Sequence, residues 1–308
     1  MTDLAFFQGS VVTIGNFDGV HRGHREILAE TVAQAREKDL RAVALTFRPH
    51  PQVVLRPQTA PSLLLTYDEK REALLAAGLD EVVDQSFDRS LAATPPERFF
   101  QDIVVGVHGA KALVVGYDFS FGRAREGHLQ VLAELCRAAG ARLTVVPPQH
   151  VAEQLVSSSA IRASLGRGQI AEARSALGRP FFYRGTVVTG DQRGRQLGFP
   201  TANVILGSGG AGEKLLLPFG VYATRLSVDG QEYSAVSNLG VRPSFTSDSN
   251  PVPVILETHL LDQSLDLYGR SVEVGFIDRI REERRFPSLE ALQAQITKDL
   301  ACARQMLG

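Results

Sequence analysis

The sequence predicts two domains, a doubly wound parallel α/β domain followed by a small antiparallel β-barrel with a C-terminal helix. Up to about residue 146, short apolar or β-branched runs alternate with helical patterns, which is typical of a parallel sheet covered by helices. After Gly178-Arg179-Pro180, closely spaced strands follow one another instead. A length of 308 residues with 44% hydrophobic residues also suits two domains better than one. We therefore place the domains at residues 1–178 and 179–308.

The first half alternates predicted strands with predicted helices. In the first helix, Glu26–Lys38, the residues Ile27, Thr31 and Ala35 share one face. The later helical patterns have the length expected of crossover connections between parallel strands. The predicted strands are Ser10–Ile14, Arg41–Phe47, Glu81–Asp84, Ala112–Gly116 and Arg142–Val146, and the later helices are Asp68–Ala77, Pro95–Val105 and Gly127–Ala138.

The second half reads as an antiparallel barrel closed by a helix. Asp229-Gly230 supplies the positive φ angles that a tight hairpin turn requires. Behind a Pro287-Ser288 start signal, Ser288–Leu307 carries apolar residues at helical spacing, so an amphipathic helix should pack against the barrel. The predicted strands are Tyr183–Thr189, Val221–Val228, Glu232–Asn238, Val254–Leu260 and Ser271–Phe276.

Composition excludes several classes of protein. The formal net charge of −1 argues against a polyanion partner across the whole surface, although anionic substrates need only local positive charge. Cys136 and Cys302 lie far apart, so neither a disulfide framework nor a cysteine-based zinc site is expected. The N-terminus lacks a basic region followed by an apolar stretch, and no window is apolar enough to span a bilayer. We expect a soluble cytoplasmic protein.

The first candidate site is the segment Gly15–His24, which follows a predicted strand and leads into a helix. In an open α/β sheet, ligands bind outside the carboxyl ends of strands, where a helix N-terminus offers free N–H groups to phosphate. The segment is neither a Gly-x-Gly-x-x-Gly fingerprint nor a P-loop. It therefore predicts an anion site of another kind.

His21 and His24 lie three residues apart across the first helical turn, so both imidazoles can face one phosphate. Two such donors suit the charge that develops in nucleotidyl transfer. The same spacing is also common for exposed or capping histidines. Zinc is disfavoured because no cysteine or carboxylate completes a ligand set with this pair.

The second candidate site begins with the Gly- and Arg-rich segment 185–203. Its glycines allow the backbone to approach a phosphate, although a loop of this composition is also typical of a flexible hairpin. On an extended strand Thr201 and Asn203 point to one face, where their oxygens suit a magnesium ion carrying ATP phosphates. Ala202 would point away.

Several motifs resemble those of the bacterial bifunctional riboflavin kinase/FAD synthetases. The opening segment Thr13–His24 looks like the first motif of that family, and the likeness runs almost the length of the chain. Further similar segments are Phe47–Pro51, Val115–Gly122, Val156–Arg162, Pro200–Asn203, Gly220–Ala223, Asn238–Phe245 and Leu267–Gly269.

The resemblance implies an N-terminal FMN adenylyltransferase in which His21 and His24 bind the ATP phosphates. Ser159 stands where the family usually has Thr, and His128 where it often has an acidic or amide residue. His50 and Phe119 could instead be simple turn and core residues. The implied ATP-binding residues are Gly15, Asn16, Phe17, Gly23, Ser157, Ser158, Ser159 and Arg162, and the implied flavin-binding residues are Pro49, His50, Asp118 and Phe119.

The resemblance likewise implies a C-terminal riboflavin kinase with Glu257 as the general base. Strand alternation places Glu257 and His259 opposite to Leu256 and Thr258, and a carboxylate can accept the proton of a primary alcohol. By sequence alone, a strand glutamate is more often a solvated surface residue. ATP would bind at Gly190, Gly194, Arg195 and Gly198, Mg2+ at Thr201 and Asn203, and Arg281 and Phe286 would help to close the flavin site or serve domain packing.

The function implied is therefore an ATP- and Mg2+-dependent enzyme with two sites. FMN and FAD would be substrate and product, not redox cofactors, and FMN would attack the α-phosphorus of ATP directly. One alternative is a single active head, suggested only by departures at Tyr117 and His128. Another is a flavin- or RNA-binding regulator, which the few aromatic residues disfavour. We expect no nucleic-acid or membrane partner.

Overall fold

A computed structural model describes residues 9–189, 199–206, 212–241, 254–263 and 265–308. The chain divides into two compact units, Met1–Ser158 with Gly210–Lys214, and Ser159–Gly209 with Leu215–Gly308. The helix that directly precedes the barrel in the sequence packs against two barrel strands and groups with the second unit. The domain boundary at 178/179, drawn where strands replace helices, stays a prediction.

The first unit is built on five parallel strands in the order β3-β2-β1-β4-β5. The strand order reverses between β1 and β4, which confirms the doubly wound architecture. The strands are β1 (Ser10–Ile14), β2 (Arg41–Arg48), β3 (Glu81–Ser86), β4 (Ala110–Gly116) and β5 (Arg142–Val146). The helices are α1 (Arg22–Glu37), α2 (Pro51–Leu55), α3 (Tyr67–Ala76), α4 (Arg89–Ala92), α5 (Pro96–Arg98), which continues as a π-helix over Phe99–Val107, and α6 (Leu129–Ala138), with 3-10 turns at Pro57–Thr59 and Arg123–Arg125.

The core of this unit explains why its strands were readable from sequence. Val12, Leu45 and Leu113 are fully buried in the three central strands, and Phe100 packs against them from the π-helix. Strands covered on both faces carry near-continuous apolar runs. The first helix begins at Arg22 instead of the predicted Glu26, because His21 already caps it.

The second unit is a closed antiparallel barrel in the order β10-β11-β12-β9-β8-β13. Inside it, the buried hydroxyls of Thr224, Ser237 and Thr258 form a chain with two contacts of 2.8 Å. Two small strands, β6 (His150–Val151) and β7 (Gln154–Leu155), precede it in the sequence. The other elements are α7 (Ser158–Gly166), α8 (Ile170–Leu177), β8 (Phe181–Val188), β9 (Ala202–Leu206), β10 (Gly220–Val228), β11 (Gln231–Val241), β12 (Val254–Leu260), β13 (Ser271–Glu282) and α9 (Leu289–Leu307).

Two predicted features of the barrel unit are confirmed. Asp229 and Gly230 have φ angles of 48° and 77°, as the hairpin turn between β10 and β11 requires. Ser288 caps α9 by accepting the Ala291 N–H at 3.2 Å, and α9 packs its apolar face on the outside of the barrel. The sequence patterns missed α2 and α8, which are too short to show a strong periodicity.

A segment that lies between β9 and β10 in the sequence belongs to the first unit. The Leu63 N–H donates to the Glu213 carbonyl at 2.6 Å, and Lys214 Nζ donates to both carboxylate oxygens of Glu69 at 2.6 Å. The Lys214 and Glu69 side chains are only 12% and 8% exposed. Glu69 also completes the capping box of α3 with Thr66. The ion pair therefore anchors the first turn of α3.

Replacing Lys214 with Met is expected to destabilise the first unit by about 3 kcal/mol, because it leaves the Glu69 carboxylate buried without its cation. Urea unfolding followed by hydrogen exchange of the α3 amides measures the loss. The control is Lys38→Met at the exposed end of α1, which should change stability by less than about 0.5 kcal/mol. Equal protection of α3 in the two variants would show that the ion pair contributes no net stability.

Candidate functional sites

The turn after β1 forms the first site, at the carboxyl edge of the sheet where the strand order reverses. Phe17 and Val20 adopt positive φ angles of 48° and 40°, and Gly19 one of 87°. The Phe17 ring is buried and covers Gly15, where a Cβ atom would lie 3.1 Å from the ring. Phe17 is thus a structural residue of the turn, and a contact with a nucleotide would involve its backbone.

Asp18 anchors this turn, a role that sequence reasoning missed. Its Oδ1 accepts the N–H groups of Leu64 and Leu65 at 2.9 and 3.3 Å, and the residue is 4% exposed. Its backbone carbonyl accepts the hydroxyl of Ser158 at 2.9 Å. The first residue of α7 therefore contacts the motif after β1, although 140 residues separate the two in sequence.

His21 and His24 form one stacked pair at the start of α1. Their ring centroids are 3.6 Å apart with an interplanar angle of 18°, and the His21 Nδ1 accepts the His24 N–H at 3.3 Å. Since Nδ1 of His21 is an acceptor, the hydrogen of its neutral ring lies on Nε2. His21 is therefore a capping residue, and this geometry leaves its other ring nitrogen as a donor.

The environment of His24 keeps its ring neutral. Burial is the largest cause that lowers the pKa of His24 well below its usual value of 6.5, followed by electrostatic interactions with His21 and Lys70. Its Nδ1 is buried and has no hydrogen-bond partner among the described residues. The Phe17 ring meets it edge-on at 5.3 Å. In the described part of the chain, no three His, Cys, Asp or Glu side chains are grouped to hold a metal, so zinc gains no support.

The residues implied for flavin binding follow β2 and β4. The Arg48–Pro49 peptide is cis, and His50 caps α2 by accepting the Gln52 N–H at 3.2 Å while its own N–H donates to Tyr67 Oη at 2.8 Å. His50 is thus a buried turn residue in this geometry. In the turn after β4, Asp118 is exposed. Phe119 is half-buried, stacks on Phe121 at 5.5 Å and packs against the core.

The serine segment is a helix start, as the resemblance implied. Ser157 and Ser158 are half-buried, and α7 begins at Ser158. Ser159 is exposed and Arg162 is half-buried, both on α7. In the first unit, the Ser158 hydroxyl is thus joined to the backbone of the histidine motif.

The second site centres on Glu257 in the middle of the barrel sheet. Glu257 pairs with Asn203 of β9 on one side and with Asn238 of β11 on the other. Leu256 and Thr258 are buried in the barrel interior, so Glu257 points to the outer face as predicted. Directly paired residues share a face, so two amides flank the carboxylate. Sequence reasoning missed Asn238, because strand pairing is not visible in the local pattern.

Asn203 carries an oxygen suited to a cation. The residue is 5% exposed, and its amide nitrogen donates only weakly to the Thr201 carbonyl, at 3.5 Å. Its Oδ1 is buried without a hydrogen-bond partner among the described residues. An unpaired buried acceptor is costly unless a ligand completes it. The donor set therefore fits an oxygen-liganded ion such as Mg2+.

The remaining kinase residues divide into two groups. Gly190, Gly194, Arg195 and Gly198 lie outside the described residues. Arg281 forms an ion pair with Asp299 of α9 at 2.9 Å, and its guanidinium lies over the Phe286 ring at 5.5 Å. Because the Arg281 guanidinium is bound to α9, this geometry favours packing over flavin-site closure as the role of Arg281 and Phe286.

The doubly wound unit and the barrel unit together define a two-module transferase. A family model described as FAD synthetase matches residues 4–160, and one described as riboflavin kinase matches residues 177–307. The chain belongs to the bifunctional riboflavin kinase/FMN adenylyltransferase family of flavin-synthesising enzymes. ATP, riboflavin and FMN are the small-molecule substrates that fit this family.

Relatives with this description match almost the whole chain. The protein of Escherichia coli K12 is 39% identical over 98% of this chain and 94% of its own length. The protein of Bacillus subtilis is 34% identical over 94% and 90% of the two chains, and that of Pseudomonas fluorescens 38% identical over 97% and 93%. Each alignment therefore spans both modules of this chain.

A solved structure shares the fold. The crystal structure of a protein described as a macrolide-efflux protein from Streptococcus pneumoniae has a TM-score of 0.85 and 29% identity, covering 96% of this chain and 94% of that one. Within the described ranges, none of the helices has both the length and the apolar character needed to cross a bilayer.

Proposed function

We propose that the chain makes FAD in two steps at two separate sites. The barrel unit transfers the γ-phosphoryl group of ATP to riboflavin, and the doubly wound unit transfers AMP from a second ATP to the resulting FMN. The observation that carries this proposal is the presence of both family modules in one chain, covering residues 4–160 and 177–307. The stacked pair of His21 and His24 supports the adenylyl transfer. The paired row of Asn203, Glu257 and Asn238 supports the phosphoryl transfer.

In the adenylyl transfer, a phosphate oxygen of FMN forms a bond to the α-phosphorus of ATP. The bond from the α-phosphorus to the bridging oxygen breaks, and pyrophosphate leaves with the electron pair. We assign His21 and His24 to donate N–H groups to the phosphates as charge moves toward the leaving group. Gly15, Asn16, Gly23, Ser157, Ser158, Ser159 and Arg162 would bind the nucleotide phosphates, and Pro49, His50, Asp118 and Phe119 would lie near the flavin.

In the phosphoryl transfer, the primary hydroxyl of riboflavin attacks the γ-phosphorus of ATP, and ADP leaves. We assign Glu257 to accept the hydroxyl proton, because a carboxylate within hydrogen-bond reach improves a weak alcohol nucleophile. The flanking amides of Asn203 and Asn238 would hold the carboxylate and the metal-bound phosphates in position. Arg281, which is held by Asp299 of α9, and Phe286, which lies under its guanidinium, would support this site.

We further propose that Mg2+ accompanies ATP at the barrel site, held by Thr201 and the unpaired Oδ1 of Asn203. A bound divalent ion neutralises phosphate charge and orients the transferred group. The protein's own part is to present neutral oxygens on one face of a strand. The amide nitrogen of Asn203 lies toward the Thr201 carbonyl, an orientation that leaves Oδ1 as the atom that would bind the ion.

Replacing Asn203 with Leu is expected to raise the Mg2+ concentration for half-maximal kinase rate by at least about tenfold. Leucine has a similar size, and removing an unsatisfied buried acceptor should leave stability unchanged or higher. The measurement is the rate of FMN formation over a Mg2+ titration. FAD formation from supplied FMN is the control in the same protein, and an unchanged Mg2+ dependence of the kinase would exclude Asn203 as a ligand.

The decisive experiment incubates the purified chain with riboflavin, ATP and Mg2+ and separates riboflavin, FMN and FAD over time. A parallel reaction starts from FMN. Appearance of FMN followed by FAD supports both assignments. Formation of FMN alone would show that the adenylyltransferase site is inactive, and formation of FAD only from supplied FMN would show that the kinase site is inactive. The absence of both products would refute the proposed function.

We also propose that the enzyme works in the cytoplasm on small molecules, without a nucleic-acid or membrane partner. The two cysteines are free thiols, which suits a reducing compartment, and the net charge is close to neutral. A gel shift with mixed RNA at modest salt tests the partner assignment, and tight, salt-sensitive binding would contradict it.

A further inference from the structure

A buried lysine lies directly behind the turn after β1, the proposed phosphate-binding turn of residues 15–24. Lys70 on α3 is 5% exposed, and its ammonium group donates to Thr46 Oγ1 at 2.7 Å and to the Asn16 carbonyl at 3.3 Å. The Thr46 hydroxyl itself donates to the same Asn16 carbonyl at 3.3 Å. The Tyr67 ring lies 5.4 Å from the ammonium nitrogen. Lys70 thus connects α3 and the end of β2 to the turn that leads to the histidine pair.

This ammonium has no ion-pair partner within the part of the chain that the structure describes. Of the two carboxylates that act on it, Asp18 accepts backbone N–H groups of Leu64 and Leu65, and Asp84 Oδ2 lies 3.6 Å from Arg71. A buried cation without a paired anion costs stability, and burial lowers the pKa of Lys70 to about 8. Burying this positive charge beside the turn after β1 lowers stability, which indicates that Lys70 has a role other than stabilising the fold.

We propose that Lys70 is a positioning residue for adenylyl transfer, which holds the Asn16 carbonyl of the phosphate-binding turn and provides a fixed positive charge behind the histidine pair. The inference rests on the proposed adenylyltransferase function of the first unit. Lys70 acts through Asn16 and Thr46, since its burial leaves it little access to a ligand. Its charge attracts the nucleotide phosphates and favours the neutral ring of His24.

The ion pair between Lys214 and Glu69 holds the helix turn that carries Lys70. Glu69 is the residue before Lys70, and its carboxylate is held both by Lys214 and by the backbone N–H of Thr66. The first turn of α3 is therefore held by two contacts of the Glu69 carboxylate, one with Lys214 and one with the Thr66 N–H. This restraint orients Lys70 toward the turn despite the cost of burying its charge.

The proposal has a pH signature. The titratable and charged groups that act on Lys70 are Asp18 after β1, Arg48 at the end of β2, Asp84 on β3 and His24 on α1, with the Tyr67 ring beside it. Asp84 and Asp18 favour the charged form, whereas burial and Arg48 oppose it. The free enzyme therefore loses this charge as the pH rises through about 8, and kcat/KM for ATP in FAD synthesis should fall over that range.

The test compares Lys70→Met and Lys70→Arg in the full chain, with FAD formation from FMN measured between pH 6.5 and 9.5. Lys70→Met is expected to lower kcat/KM for ATP by about 30-fold at pH 7, the effect of losing hydrogen bonds from a charged group. Lys70→Arg keeps its charge over this range, so the alkaline decline should disappear even if the rate is lower. Riboflavin phosphorylation by the same samples should not change.

Lys38→Met serves as the matched control, because it removes an exposed lysine at the far end of α1. The proposal is overturned if Lys70→Met retains the wild-type kcat/KM, or if Lys70→Arg declines at the same alkaline pH as the wild type. A Lys70→Met variant that does not fold leaves the arginine profile to decide. A wild-type chain that makes no FAD would instead refute the adenylyltransferase function itself.

Discussion

Replacing Glu257 with Gln is expected to reduce riboflavin phosphorylation by about 10²- to 10⁴-fold, the usual contribution of a general base. Glutamine keeps the size and the hydrogen-bonding oxygen of the side chain but cannot accept the hydroxyl proton. Glu257 lies on the outer face of the barrel between its paired residues Asn203 and Asn238, so the fold should tolerate glutamine at this position. FMN formation from riboflavin at saturating ATP measures the effect, and the loss should appear in kcat.

Two controls separate chemistry from stability in this experiment. FAD formation from supplied FMN should be unchanged, because it depends on the other unit. Glu273→Gln is the matched barrel variant, since Glu273 is also a strand glutamate but pairs with Arg184 at the surface at 2.7 Å. That exchange should affect the kinase by less than about twofold. If Glu257→Gln were as active as Glu273→Gln, Glu257 would not be the base.

Replacing His21 with Asn is expected to reduce FAD formation by about 10²- to 10³-fold, the effect of removing one donor to a developing charge. Asparagine is a favourable N-cap, so the cap that His21 provides to α1 should be retained. His24→Ala should show a loss of similar size. Because His24 is neutral at pH 7, its contribution is expected to come from an N–H group and not from a full charge.

The measurement is FAD formation from FMN, with riboflavin phosphorylation by the same sample as the control. His21→Asn distinguishes the two roles that the sequence left open. A variant with wild-type thermal stability and little FAD synthesis assigns a phosphate-binding role to the imidazole. Wild-type FAD synthesis by His21→Asn would leave capping as its only role.

Local pattern accounts for much of the fold. The strands β1 and β5 have the predicted bounds. All five residues of β1 are buried, as expected for a parallel strand covered on both faces, whereas β5 is an edge strand with an exposed Val145. The turn at Asp229-Gly230 was readable because few other residues adopt two consecutive positive φ angles. Motif likeness located both candidate sites, and the chain's place in the family bears out that resemblance.

Only the tertiary structure decided which side chains lie together. The row Asn203–Glu257–Asn238 depends on strand register, and Lys70 reaches Asn16 from a helix more than fifty positions away. The Lys214–Glu69 ion pair joins residues that are 145 positions apart. Hydrophobic periodicity reports how one element is buried but not which element covers it. The sequence alone therefore determined the elements and the motifs, whereas packing between distant segments determined the anchors around each site.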